Sequence, residues 1–438
     1  METKLKRIAK VAKEQPKARF TSLIHLINSE TIIMCHKEMS TRKASGVDKV
    51  TKDLYGDNLE ANVADLIDRM KRQVYKPQPA RRVYIPKTGS DKMRPLGIPA
   101  YEDKLVQSAL AKILNAIYEE DFLENSFGFR PGRSCHDALK ILNIIVNKKN
   151  INYVVDTDIK GFFDNVDHEW MKKFIKHRIQ DVNINRLIAR MLKAGIVEAG
   201  IKYDTHEGTP QGGVASPIFA NIYLHYVLDL WFEKVMKKAC KGKAYMVRYA
   251  DDSVFCFQYK EDAYKFYGEL IIRLKKFNLE ISKEKTKIIK LGKDDNDDNS
   301  GGNSFDFLGF THYCTESKNG YKYIARKTSK KKYNASLLRC KEWMKYNRIL
   351  PTKEFMKKIV VKIIGHCNYY AVTGNGRMIG NFIDECRTLI FKWLNRRSQK
   401  SSFNWDKFVL FLKKYPLPKA RVKVNIFDVK VGISYLCE

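Results

Sequence analysis

The stretch "MVRYADDSVFCF" (246–257) sets two adjacent carboxylates, Asp251 and Asp252, inside a run of β-formers: Val247, Tyr249, Val254, Phe255 and Phe257. Asp is a poor strand residue. A sequence that places a pair of them there either makes a tight hairpin turn or gives up stability for a site. Taken alone, the stretch leaves both readings open. A hairpin turn has no need, however, of a second Asp cluster at the end of another buried strand, and "INYVVDTDI" (151–159) supplies one in Asp156 and Asp158. Two strand ends that each present carboxylates form a cradle for hard divalent cations. Mg²⁺ takes oxygen ligands, few of them from protein and the rest from water and phosphate, and two such ions clamp the attacking and leaving oxygens of a phosphoryl transfer.

The pattern around these strands is α+β. "KGFFDNVDH" reads as a turn and leads into a helix from about Glu169 to Arg178. Ser216 as cap and Pro217 at the first helical position open another, continued at helical spacing by Phe219, Ile222, Tyr223, Tyr226, Val227 and Leu230. The sequence then predicts two short strands with the Asp pair between them, a helix over about 261–276 and a strand "KTKIIKL" (285–291). The order β-α-α-β-β-α-β predicts a sheet with helices packed on one face.

The chain of 438 residues has room for two or three domains, and its net charge of +32, from 81 Lys and Arg against 49 Asp and Glu, points to a polyanionic partner, nucleic acid first. Residues 321–438 hold 27 of the basic residues and only 7 acidic ones, which marks a separate basic module. Its lysines and arginines are interleaved with Trp343, Tyr346, Tyr369, Tyr370, Trp393 and Trp405, side chains that either stack unpaired bases or fill a helical core. "KDDNDDNSGGNS" (293–304) reads as an exposed loop or hairpin tip. The longest apolar runs, such as "IVVKII" (359–364), are short and broken by Lys, and the charged N-terminus lacks a signal-peptide core. No membrane association and a cytoplasmic location, with contact to the nucleoid, are expected. Nine cysteines without a CxxC pair agree with a reducing compartment. Nucleotide polymerisation on a basic scaffold is the leading reading.

The residues also resemble a known family. "YADD" (249–252) looks like the catalytic box of reverse transcriptases, and its neighbours follow in that family's order: "YIPKTGSDKMRPLGIP" (84–99), "SFGFRPGRSCHDAL" (126–139), "DTDIKGFFDNVDH" (156–168), "GTPQGGVASPIFANIYL" (208–224), "LEISKEKTKI" (279–288) and "FDFLGF" (305–310). Together they resemble bacterial group II intron-encoded reverse transcriptase/maturases. "KASGVDKVT" (43–51) is similar to that family's fingertip loop. "GHCNYYAVTGN" (365–375) and "FKWLNRRSQKSSFNWDKF" (391–408) resemble its thumb and maturase region. The resemblance implies a right-hand polymerase fold. Residues 1–60 would form an N-terminal extension and fingertip loop, 61–310 the fingers and palm, and 311–438 a helical thumb/maturase domain.

Carried over to this sequence, the resemblance makes Asp158, Asp251 and Asp252 the catalytic carboxylates. Asp158, Asp251 and the backbone carbonyl of Ile159 would hold two Mg²⁺ ions, with Mn²⁺ as a substitute. Asp156, Asp164 and Asp167 are expected to be turn and capping carboxylates. Lys87 and Arg94 would engage the incoming triphosphate, where a guanidinium offers a fork and an ammonium a mobile point charge. Phe163 would lie beneath the sugar and exclude a 2′-hydroxyl. Gln211, with Gly212 and Gly213, would shape the floor of the nucleotide pocket, and Lys285 would approach the leaving pyrophosphate. Phe307, Leu308 and Gly309 would grip the primer. "TGNGRMIG" (373–380) misses the spacing of a dinucleotide loop and follows no strand, so it carries no phosphate-site expectation.

The implied partners are an RNA template, structured intron RNA, a DNA primer or target and dNTPs. The sequence contains neither an HNH-like set nor paired cysteines, so bottom-strand cleavage is not expected of it and another primer, such as nascent DNA at a fork, is implied. Two rival readings are a non-enzymatic RNA-binding splicing factor and a host-adapted reverse transcriptase in DNA repair or phage defence. Intact Asp158, Asp251 and Asp252 weigh against the first of them.

Overall fold

The computed structural model describes residues 2–86, 93–204, 207–208, 212–292, 303–397, 403–432 and 434–436. Strands β1 (Ala80–Pro86) and β2 (Met93–Ile98) form a hairpin, and β3 (Tyr153–Asp158) begins the central sheet. β4 (Ile196–Glu198) and β5 (Ile201–Tyr203) extend the first hairpin into a sheet of order β2-β1-β4-β5. β6 (Ala244–Tyr249), β7 (Asp252–Phe257) and β8 (Lys287–Lys290) complete the central sheet, ordered β6-β7-β3-β8 and antiparallel throughout. β9 (Ser304–Phe307), β10 (Phe310–Glu316) and β11 (Lys322–Thr328) make a third, antiparallel sheet.

The central strands are apolar on both faces, Val154 beside Val155 and Val254 beside Phe255, and both faces are covered. Val155, Phe255 and Phe257 pack with Phe232 and Phe266 from helical segments 216–239 and Lys260–Lys276. Val154, Val247 and Val254 pack instead with Leu139, Leu142 and Ile145 of the helix Cys135–Lys148 and with Phe305, Phe307 and Phe310. The one-faced arrangement that the alternation predicts is therefore incomplete. A strand buried on both sides reads as a continuous apolar run, and here both sides found a partner layer.

The predicted helices are present with small shifts. The helix expected from about Glu169 is His168–Lys176, and Asp167 caps it as expected, accepting from the Trp170 amide at 2.8 Å. Ser216 is the first helical residue and Ala215 the cap, with no side-chain hydrogen bond there. That helix continues from Ser216 to Ala239 with two π-helical turns, His225–Asp229 and Phe232–Met236.

The basic module begins differently from expectation, because Phe310–Thr328 is a β-hairpin and its helices start at Lys330. Helices Lys330–Asn347, Thr352–Tyr370, Gly376–Asn395 and Trp405–Lys414 enclose their own core, which includes Met344, Phe355, Ile363, Phe382 and Phe408. "TGNGRMIG" (373–380) spans the end of the turn between the second and third of them and the first residues of the third, which begins at Gly376. Its buried Asn375 accepts from the Thr328 amide at 3.0 Å and donates to the Tyr370 carbonyl at 2.8 Å. The last segment then returns to the central sheet, where the Met246 amide on edge strand β6 donates to the Tyr435 hydroxyl at 2.8 Å. Most of 293–304 lies outside the described residues. No helix among the described residues is long and apolar enough to cross a membrane.

Candidate active site

The carboxylates meet through strand register. Asp158, the last residue of β3, pairs directly with Asp252, the first residue of β7, while Tyr249 pairs with Asp252 across the β6–β7 hairpin. The hairpin turn is therefore Ala250-Asp251, and Asp252 is already in the strand. The hairpin reading of the opening stretch holds, and the tight turn carries a carboxylate, Asp251, at its tip. Ala250 has φ 57°, a left-handed conformation that favours glycine and costs an alanine about 1 kcal/mol.

A buried frame holds this turn. Arg248, fully buried in β6, donates to both carboxylate oxygens of the equally buried Asp229 at 2.7 and 2.5 Å, and to the Asn221 side chain and the Ala250 carbonyl at 3.1 and 2.9 Å. Removing one partner of such a pair strands a charge in the interior, at a cost of about 3–5 kcal/mol. Neither Arg248 nor Asp229 was expected from the sequence. The signal was a charged residue within a strand, three positions before the Asp pair.

The expectation of a turn or capping role for Asp156 does not hold. Asp156 is a mid-strand carboxylate paired with Val254 and Lys287, on the same face as Asp158 two residues on. Burial, with Asp252, Asp306 and Asp158 nearby, pushes it up to about 7. Burial and the neighbouring Asp251 and Asp158 likewise push Asp252 up to about 7. Burial raises Asp251 as well, opposed by Arg94. Asp164 lies in the short 3₁₀ turn Phe162–Asp164, raised by burial.

One cleft gathers most of the expected nucleotide-site residues: Arg94, Asp158, Ile159, Phe163, Asp251 and Lys285 line it together. Lys285 donates to Asp158 Oδ2 at 2.6 Å. Gly161, at φ 56°, turns the chain after β3 so that half-buried Phe163 reaches the cleft wall, its ring edge-on to Phe162 at 5.2 Å. Gly212 has φ 109°, and a Cβ there would come within 2.9 Å of the Gly97 carbonyl, so only glycine allows this approach to β2. Lys87 and Gln211 lie outside the described residues.

The expected primer grip needs one correction. Phe305 and Phe307 alternate inward, and Phe307 is 1% exposed within the core beneath the sheet, so its side chain does not face the cleft. The surface belongs to the two-residue turn Leu308-Gly309, at φ 50° and 79°. The Tyr369 hydroxyl donates to the Leu308 carbonyl at 2.9 Å, and the Ser329 amide to the Gly309 carbonyl at 3.0 Å, which ties the turn to the basic module.

Among the described residues no three His, Cys, Asp or Glu side chains are drawn together closely enough to hold a metal ion. The donor chemistry nonetheless fits Mg²⁺. It asks for one or two carboxylates and completes its shell with water and phosphate, and carboxyls held high by burial and mutual repulsion gain most from an added cation.

The sequence of residues 85–312 matches the model of the family described as reverse transcriptase (RNA-dependent DNA polymerase). Over 231 residues, 52% of this chain, it is 40% identical to the group II intron-encoded protein LtrA of Lactococcus lactis subsp. cremoris, covering 38% of that protein. It is 34% identical over 248 residues to protein YkfC of Escherichia coli strain K12, 55% of this chain and 65% of that one. A 91 kDa protein in a cob intron of Schizosaccharomyces pombe is 38% identical over 215 residues, 48% of this chain and 26% of its own length. The chain thus spans less than two thirds of each of these relatives.

Proposed function

Because the chain belongs to the reverse transcriptase (RNA-dependent DNA polymerase) family, we propose that it is an RNA-directed DNA polymerase that also binds structured group II intron RNA, assists its splicing and copies it into DNA. The observation that carries this reading is the direct pairing of Asp158 with Asp252, with Asp251 at the adjoining turn. In this reading residues 61–310 are fingers and palm, and the helical module from Lys330 is the thumb.

Asp158, Asp251 and the Ile159 carbonyl would hold two divalent ions, which supply charge neutralisation at the attacking 3′-oxygen and the leaving pyrophosphate. The chain's own residues orient the reactants. Arg94, opposite Ile85 in the β1–β2 hairpin, and Lys87 bind the triphosphate. Phe163 sets the space beneath the sugar. Lys285, released from Asp158, meets the negative charge that builds on the leaving group. Leu308 and Gly309 hold the primer strand by their backbone. The basic module binds RNA largely through phosphates, and the resulting counterion release makes affinity salt-dependent.

The test is binding and splicing of a group II intron RNA by the full chain. With some 6–10 phosphates engaged, affinity should fall roughly 10³- to 10⁵-fold between about 50 and 200 mM salt. Splicing should persist in an Asp251→Asn variant. Salt-independent binding would contradict the proposal.

A further inference from the structure

We propose that the ring of Phe129 is a contact for the primer–template end beside the catalytic carboxylates, an aromatic platform on which a base or sugar of the paired strands packs. This rests on the polymerase reading above and names a substrate contact that reading did not contain.

The segment before Phe129 is tied to the hairpin that carries Asp251. The Phe127 amide donates to the Arg248 carbonyl and the Arg248 amide to the Asn125 carbonyl, both at 2.9 Å, so the chain runs alongside edge strand β6 towards its turn. There Gly128 lies so close to Ala250 that any Cβ would collide with its backbone, and the Gly128 carbonyl accepts from Asn221 at 2.8 Å. The residue after Phe129 is anchored as firmly. Arg130, 5% exposed, donates to the Leu123 and Ser126 carbonyls at 2.6 and 2.8 Å and to Glu119 at 3.0 Å. Further on, His136 Nε2 lies 2.8 Å from the carbonyl of Tyr369, the residue whose hydroxyl holds Leu308.

Between these two buried anchors Phe129 is 52% exposed and has φ 59°. A bulky aromatic gains nothing from a left-handed backbone, and an exposed ring adds little to the core. Strain of this kind persists where the surroundings impose it, and it collects at functional sites. Ala250 at φ 57° and Leu308 at φ 50° are the strained tips of the two neighbouring hairpins. Phe129 directly follows the glycine packed on Ala250, in the segment whose His136 reaches the Tyr369 that holds Leu308. A strand held for reaction at Asp251 and gripped at Leu308-Gly309 passes this segment, and base–aromatic packing is tolerant of sequence, as a polymerase requires.

The experiment uses Phe129→Gly, a residue that the left-handed backbone suits, and Phe129→Tyr. Primer–template affinity is measured without dNTPs, then extension on a primed RNA. Phe129→Gly should keep or raise the thermal midpoint, weaken duplex binding roughly 5- to 150-fold and shorten the products. The KM for dNTP at saturating duplex should stay unchanged. Phe129→Tyr should restore affinity. Wild-type affinity and product length in Phe129→Gly would overturn the proposal, as would a lowered melting point, which would mark the ring as packing. A wild-type chain that binds duplex but never extends it contradicts the polymerase reading alone, and Phe129 is then judged on affinity. One that binds no duplex overturns both.

Discussion

Lys285 Nζ lies 2.6 Å from Asp158 Oδ2, an ion pair whose side chains are 57% and 40% exposed. A metal ion at Asp158 and Lys285 therefore compete for the same oxygen, and a pair this exposed yields readily. Lys285→Ala should act with opposite signs on two quantities. Metal binding to the nucleotide-free protein should tighten by up to about fivefold, the equivalent of about 1 kcal/mol. The extension rate should fall by about 10²- to 10³-fold as a charge near the leaving group is lost. Isothermal titration and single-turnover extension measure the two. An unchanged rate would remove Lys285 from the phosphate end of the site.

Asp252 and Asp156, both pushed to about 7 by burial and neighbouring carboxylates, predict how Mg²⁺ and pH interact. Between about pH 4 and 7 the folded protein holds protons that the unfolded chain has released, so metal-free stability falls as pH rises through this window and levels off above it. A bound cation needs the ionised forms, so its stabilisation runs the other way. The rise in melting temperature with saturating Mg²⁺ should be larger near pH 8 than near pH 6, with protons released on binding. Asp252→Asn should flatten the difference. A Mg²⁺ effect equal at both pH values would contradict the coupling.

Phe163 lines the cleft with Asp158 and Asp251. If its ring fills the space that a 2′-hydroxyl needs, Phe163→Val should admit ribonucleotides while keeping much of the deoxynucleotide incorporation. Competition of the two substrates on one template reads the ratio. Unchanged discrimination would return Phe163 to a packing role against Phe162.

The strands that carry Asp158 and Asp252 were legible because the signal is local: a carboxylate pair amid β-formers and a second cluster at another strand end state the conflict within a few residues. Period-two alternation in "SFDF" (304–307) also carried the burial of Phe305 and Phe307, which the motif-based reading of Phe307 passed over. What the sequence withheld depends on distant partners. Asp156 looks like a turn residue until β8 places Lys287 opposite it. Arg248 acquires its meaning only when Asp229 arrives from a helix. The second covered face of the sheet needs the helix Cys135–Lys148, whose apolar stripe says that it packs but not on what. The basic content of 321–438 drew attention to phosphate binding and away from β11, where Lys322, Arg326 and Lys327 share one strand with the β-formers Tyr323, Ile324 and Thr328.

The most direct test of the central claim is Mg²⁺-dependent extension of a DNA primer on an RNA template by the full chain and by Asp251→Asn. The substitution keeps the shape of the turn residue and removes one hard anionic ligand. The account predicts extension by the wild-type chain, and a loss of several orders of magnitude in the variant, with melting temperature and intron-RNA affinity retained. Near-normal extension by Asp251→Asn would contradict it.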